Sequence, residues 1–179
     1  KTKIKSIAAI CKKNKNIAIF ERYSDDGDIL TQYIGDGSAV YPVVGLPQLD
    51  KESLLTILDV PEKDRDNYFV KTLGVPGGIS FEDTDETERH VEREGISIIY
   101  SGRTLKPIRT TRGLVFIESR YLSPVADVLD VLELYERRTA EGAPYIVAKA
   151  GFLLQAVIMP YDVINQQFVE SLQSLTREC

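Results

Sequence analysis

The feature that most constrains the fold is an order of elements that occurs twice. Residues 17–44, IAIFERYSDDGDILTQYIGDGSAVYPVV, contain three strand-like stretches separated by two turns with glycine, which predicts an antiparallel meander. The same order follows in LELYERR at 132–138, then at 145–149 and, after an Ala-Gly turn, at 152–159. FERY and YERR share an aromatic residue, glutamate and arginine in that order. One unit is therefore expected to be used twice.

A helix is predicted before and after each meander, because apolar residues recur at helical spacing. The stripe of the first helix, over 1–14, is Ile4, Ile7, Ala8 and Cys11, and that of the third is Leu122, Val125, Ala126 and Leu129, with Pro124 in its first turn. Asp50 caps a short second helix that ends before Pro61. Asp162 caps a final one, whose buried face is Ile164, Phe168, Leu172 and Leu175.

These elements predict an α+β fold in which two pseudo-repeated units, each a helix with a three-stranded antiparallel meander, enclose a shared core. The units are 1–60 and 114–179, the second with an extra leading strand at 114–118, and the whole forms one compact domain. The third strand of the first meander should lie at an edge or be bulged, because it contains Pro42. The last strand, FLLQAVIMP, is too apolar to be half exposed and should be central or lie under a partner.

The connecting segment, 61–113, has a weaker pattern. Strands are predicted at 68–73 and 96–100, and a loop at 74–78. The acidic stretch 82–94 is expected to be either a solvated helix or a mobile segment. Four cations follow in a predicted hairpin loop: Arg103, Lys106, Arg109 and Arg112.

Composition excludes several classes of function. His90 is the single histidine and there are two cysteines, so zinc sites and histidine-dependent catalysis are not expected. The glycine-containing stretches 35–37 and 74–78 are not accompanied by the other residues that nucleotide-binding loops require. We therefore predict a non-enzymatic protein without a cofactor.

Location is predicted from what the sequence lacks. Its apolar runs stay short of a membrane span, and its lysine-rich start has no signal-peptide core. The default expectation is a cytoplasmic protein with no membrane partner and with Cys11 and Cys179 reduced.

Charge is distributed unevenly, although the net charge is −5. Six of the first fifteen residues are lysines, so the first helix is expected to have a basic edge. Basic clusters can bind a polyanion whatever the total charge. The candidate DNA-binding residues are Lys5, Lys12 and Lys13 on this helix, with Arg103, Lys106, Arg109 and Arg112 as a second patch.

The run LVFIESRYLSPVADVLDVLELYERRTAEGAPYIVAKAGFLLQAVIMP, residues 114–160, resembles the repeating module of DNA sliding clamps, and residues 1–44 do so more loosely. The resemblance implies a ring whose helices carry basic residues toward DNA and whose surface has an apolar pocket for partner peptides. Lys5, Lys12 and Lys13 would then contact phosphates. Departures are Asp127 and Asp130 where basic residues would be wanted, an extra segment at 50–95, and only two units, so that a ring would need oligomers.

The chain also resembles uncharacterised proteins of bacterial phages and mobile elements. The leading hypothesis is a clamp-like binding protein, such as a processivity-type factor, that associates with itself and with DNA or a DNA-processing partner. One alternative is a protein-interaction or regulatory module whose acidic stretch docks on a basic partner. Another is an enzyme that holds Mg²⁺ on Asp83 and Asp85 with Glu86 or Glu88.

Overall fold

The computed structural model describes residues 2–93 and 95–161, which form two β-sheets and four helices. In chain order the elements are α1 (Thr2–Asn14), β1 (Asn16–Tyr23), β2 (Ile29–Gly35), β3 (Ala39–Val43), α2 (Lys51–Ile57), a short 3₁₀ helix (Glu62–Asn67), β4 (Phe69–Gly74), β5 (Arg89–Val91), β6 (Ile98–Tyr100), β7 (Arg103–Thr110), β8 (Gly113–Glu118), a long 3₁₀ helix (Ser119–Val131), β9 (Leu132–Arg138), β10 (Pro144–Ala150) and β11 (Leu153–Ile158). The predicted α+β class is confirmed.

The large sheet has eight strands in the order β4, β1, β2, β3, β11, β10, β9, β5. The meanders β1–β3 and β9–β11 meet where Ala39 and Val40 of β3 pair antiparallel with Ile158 and Val157 of β11. β4 adds a parallel edge beside β1, and β5 adds an antiparallel edge beside β9. The small sheet is an antiparallel arrangement of β6, β7 and β8.

The main core lies on one face of the large sheet. α1 packs against the long 3₁₀ helix and against β1 and β2, so Ile7 and Cys11 of α1 are buried with Ile17 and Ile19 of β1. Leu54 and Leu55 of α2, Ile108 and Ile117 of the small sheet, and Ile146 of β10 belong to the same cluster. Burial of this size is the main stabilising contribution to a domain.

The opposite face of the large sheet is covered by an irregular segment. Tyr145 and Val147 of β10 belong to a second apolar cluster, whereas their neighbour Ile146 belongs to the main core. This alternation puts the two clusters on opposite faces. The second cluster includes Phe81, Val75 and Ile79, so residues 75–88, called the strap below, lie across this face.

Several local predictions are confirmed. α1, the first meander, the loop at 74–78 and the strands β4, β6 and β8–β11 lie where the sequence predicts them to within a few residues. Asp50 caps α2, and its side chain accepts a hydrogen bond from the Ser53 N–H at 2.9 Å in a capping box. The predicted helix that begins at Asp162 lies outside the described residues.

The prediction for the basic stretch is wrong, because Arg103–Thr110 is a strand and not a hairpin loop. Its apolar residues lie on both faces of the small sheet, with Leu105 in a minor cluster and Ile108 in the main core. A strand buried on both faces does not show a simple alternation in its sequence.

The predicted α-helical stripe at 122–129 is also wrong in part. The segment is a 3₁₀ helix with a kink at Val128, and three residues per turn place Leu122, Val125 and Val128 in one row. Leu122 and Val125 are buried, whereas Ala126 and Leu129 are exposed.

β3 does not lie at an edge. It pairs with β2 on one side and with β11 on the other, so the prediction from Pro42 is wrong. The proline is tolerated because the pairing with β11 involves only Ala39 and Val40, and Pro42 lies beyond it. β11 is central, as predicted.

Candidate functional site

The first candidate surface is the exposed side of α1. Lys5 and Lys13 are exposed and Lys12 is half-buried. Within residues 2–93 and 95–161 these three lysines form no ion pair with an acidic side chain. Lys5 and Lys13 are therefore accessible to a phosphate backbone, and Lys12 is accessible in part.

The neighbouring 3₁₀ helix brings negative charge into the same layer. Asp127 and Asp130 are exposed on it, and Asp127 is close enough to act on Lys3. The pKa of Lys3 is lowered by burial, and Asp127 opposes this only in part. The helical layer thus carries charges of both signs.

The second predicted patch is not one array. Arg103 forms an ion pair with Glu118 at 2.8 Å, and its guanidinium lies 5.4 Å from the centre of the Tyr161 ring. Lys106 points to the other face of β7 and donates to Ser97 Oγ at 3.0 Å. Arg109 is half-buried, and Arg112 is exposed in the turn between β7 and β8. The long 3₁₀ helix packs against both β7 and α1.

Over its described residues, 82–93, the acidic stretch forms no helix: most of it is exposed, and it contains the short strand β5. Glu88 accepts hydrogen bonds from Arg137 at 2.8 and 3.0 Å and from Lys149 Nζ at 2.9 Å. The Arg137 side chain is 0% exposed and that of Lys149 is 6% exposed. This buried triad fixes the end of the strap to β9 and β10.

The contacts that hold the first half of the strap include two ring contacts and three polar contacts around residues 81–83. Phe81 packs edge-on against Tyr33 and Phe20, with ring centres 4.9 and 5.6 Å apart. The Phe81 carbonyl accepts from Tyr33 Oη at 3.3 Å. Glu82 forms an ion pair with Arg22, and Asp83 Oδ1 accepts from the Leu154 N–H at 2.8 Å.

The Glu-Arg pair that occurs in both FERY and YERR is oriented in the same way in both meanders. Arg22 and Arg137 face the strap and meet its carboxylates. Glu21 and Glu136 are buried on the other face, where Glu21 accepts from Gln32 Nε2 at 2.9 Å and Glu136 from the Thr111 N–H at 2.9 Å. Adjacent residues of a strand face opposite ways, so this arrangement was readable in principle from the sequence.

A third polar cluster lies inside the helical layer around Asp36, whose side chain is 0% exposed. Its carboxylate accepts from Asn14 Nδ2 at 2.7 Å, from Tyr121 Oη at 2.8 Å and from the Ser38 N–H at 2.9 Å. Burial, together with this hydrogen bond, raises the pKa of Tyr121 to about 12. The cluster joins the end of α1, the β2–β3 turn and the long 3₁₀ helix. Its role is therefore to hold these three elements together.

No metal or catalytic constellation forms in the described part of the chain. No three histidine, cysteine or acidic side chains converge there. Asp83 and Asp85, the candidate Mg²⁺ ligands, are engaged by the Leu154 and Thr87 backbone N–H groups. His90 is exposed and packs edge-on against Tyr135.

Comparison with known proteins identifies no relative. A scan against protein-family models, a search of curated proteins and a search of solved structures each found no match. The resemblances to sliding clamps and to phage proteins therefore stay predictions. Among the described helices, none is both long and apolar enough to cross a membrane.

Proposed function

We propose that this protein is a non-enzymatic, clamp-like binding protein of the cytoplasm that associates with itself and lays α1 against the backbone of duplex DNA. Its origin in a phage or mobile element is part of the same hypothesis. The DNA-binding residues in this proposal are Lys5, Lys12 and Lys13, with Arg112 of the second patch, which is exposed in the turn between β7 and β8.

The observation that carries the proposal is the joining of the two meanders. β3 and β11 pair antiparallel, so a six-stranded sheet runs from β1 to β9. The two helices that precede the meanders, α1 and the long 3₁₀ helix, pack side by side on one face of it. A sheet on one side and paired helices on the other is the arrangement that the sliding-clamp resemblance implies.

Self-association has candidate surfaces at the sheet edges. β4 forms one edge of the large sheet and exposes Phe69 and Leu73. β6 forms an edge of the small sheet, where Ile99 is 80% exposed. Unpaired edge strands with exposed apolar residues favour pairing with another chain. Light scattering should therefore give a mass above that of a monomer, and a monomer at high micromolar concentration would contradict this part.

The DNA part is tested by fluorescence anisotropy with a labelled duplex at 50 and 200 mM salt. The three lysine contacts alone give a salt slope of about −2.7, so affinity should fall by at least about 40-fold between the two concentrations. The variant Lys5→Glu/Lys12→Glu should abolish binding at 50 mM salt.

The matched control is Lys51→Glu/Lys63→Glu, which makes the same charge change at exposed lysines of α2 and the short 3₁₀ helix. This control should bind as the unchanged chain does. No binding at low salt, or equal loss in both variants, would remove the DNA part and leave the self-association part standing.

The alternative in which the acidic stretch docks on a basic partner loses support, because Glu82 and Glu88 are already paired with arginines of the same chain. The Mg²⁺ alternative has no geometric support among the described residues.

A further inference from the structure

The four residues Ser80–Asp83 lie in their groove as a short peptide ligand would. They form no strand with the sheet beneath them, and they are held instead by side chains of the sheet, among them Tyr145, whose hydroxyl accepts from the Ser80 N–H at 3.0 Å. The Ser80 carbonyl accepts from Arg137 Nη1 at 3.2 Å, Phe81 fills an aromatic slot, and the next two side chains are carboxylates that meet Arg22 and the Leu154 N–H.

The groove is larger than its occupant. A cavity of about 190 Å³ on one side of Phe81 is lined by apolar residues that include Phe20, Val157 and Met159. A second cavity of about 200 Å³ on the other side is lined by residues that include Arg22, Thr31 and Leu153. Phe81 borders both cavities, so a ligand with residues on both sides of the aromatic ring would gain contacts that the strap does not make.

The two ends of the strap are held unequally. The triad around Glu88 is buried, whereas the Arg22 and Glu82 side chains are 33% and 55% exposed. Exposed pairs of this kind contribute little and weaken with salt. Phe81 itself is 5% exposed, but Ser80–Asp83 form no strand with the sheet. Segments without strand pairing open more easily than paired strands, so the part around Phe81 can leave while the Glu88 anchor stays.

We propose that this groove is a recognition site for extended peptides in which an aromatic residue is followed by two carboxylates, and that Ser80–Asp83 is its occupant in cis. Charge complementarity selects this ligand, because Arg22 and the Leu154 N–H face the two carboxylate positions. The inference does not depend on DNA binding. A cis segment has an effective concentration on the order of millimolar, so a peptide in trans should bind weakly until the cis occupant is removed.

The test uses a fluorescent peptide with the sequence of residues 78–86, GISFEDTDE, and anisotropy. It should bind the variant Phe81→Ala/Glu82→Ala/Asp83→Ala at least tenfold more tightly than the unchanged chain. The control variant Thr84→Ala/Glu86→Ala alters exposed strap residues and should behave as the unchanged chain does. The triple variant is called the vacated variant, because its groove has lost the native occupant. A peptide with alanine in place of the phenylalanine should bind the vacated variant at least tenfold more weakly. Adding Arg22→Glu to the vacated variant should weaken binding of the original peptide by the same factor.

A vacated variant that keeps its circular dichroism and melting transition but binds no peptide would overturn the proposal, as would equal binding of the alanine peptide. If the triple variant does not fold, Glu82→Ala/Asp83→Ala takes its place. If neither folds, hydrogen exchange decides: excess peptide must speed amide exchange at 78–84 in the unchanged chain, and unaltered exchange would overturn the proposal.

Discussion

Replacing Glu88 with glutamine should destabilise the protein strongly, because it removes the only carboxylate in the described residues that pairs with Arg137 and Lys149. Glutamine keeps the size of the side chain but leaves two cations buried without a counter-charge. Removing one partner of a buried ion pair costs about 3–5 kcal/mol. With about 2–4 °C per kcal/mol for a chain of this size, the melting temperature should fall by about 6–20 °C.

The measurement is urea unfolding followed by tyrosine fluorescence and circular dichroism, since the chain has nine tyrosines and no tryptophan. Glu82→Gln is the matched control: it breaks the exposed pair with Arg22 and should cost less than about 1 kcal/mol. One molar salt should remove that smaller effect and leave the larger one. A Glu88→Gln chain within 1 kcal/mol of the unchanged protein would refute the assignment of a buried triad.

Two further predictions concern the β2–β3 turn and the main core. Gly35→Ala should lower the free energy of unfolding by about 3 kcal/mol or more, because a Cβ there would lie 1.7 Å from the Ala39 carbonyl oxygen. Urea titration measures this loss. Gly74→Ala is the control and should change the free energy of unfolding little, because the space around Gly74 is open. In a Cys179→Ser chain Cys11 should not react with a thiol reagent at pH 8 until urea is added, because burial raises its pKa to about 12, and rapid reaction of the native chain would contradict this.

The elements that the sequence predicted well have short-range causes. α1 follows from the spacing of Ile7 and Cys11, the first meander from two glycine-containing turns, and α2 from the cap at Asp50 with Leu54 and Leu55 behind it. Each of these signals lies within one element or one turn, where periodicity and turn chemistry are reliable.

The elements that it predicted poorly depend on distant partners. β7 is a strand because β6 and β8 pair with it and both of its faces are covered. The strap has no regular structure because its partners, Arg22 and Arg137, lie far away in sequence. The sequence around the strap shows only an acidic run, which is typical of an exposed helix or coil. It does not specify which distant cations will pair with the carboxylates.

The acidic strap and the lysines of α1 lie on opposite sides of the large sheet, and this changes what the acidic stretch implies for DNA binding. The strap lies on one face and α1 on the other, with the sheet between them. Arg22 and Arg137 neutralise part of the strap in place. Fields of exposed charges are screened within about 8–10 Å in physiological salt, and two sheet-packed layers stand about that far from the sheet on either side. The lysines of α1 therefore present a local positive surface although the net charge is −5, and the negative charges that can oppose them include those of Asp127 and Asp130 in the same layer.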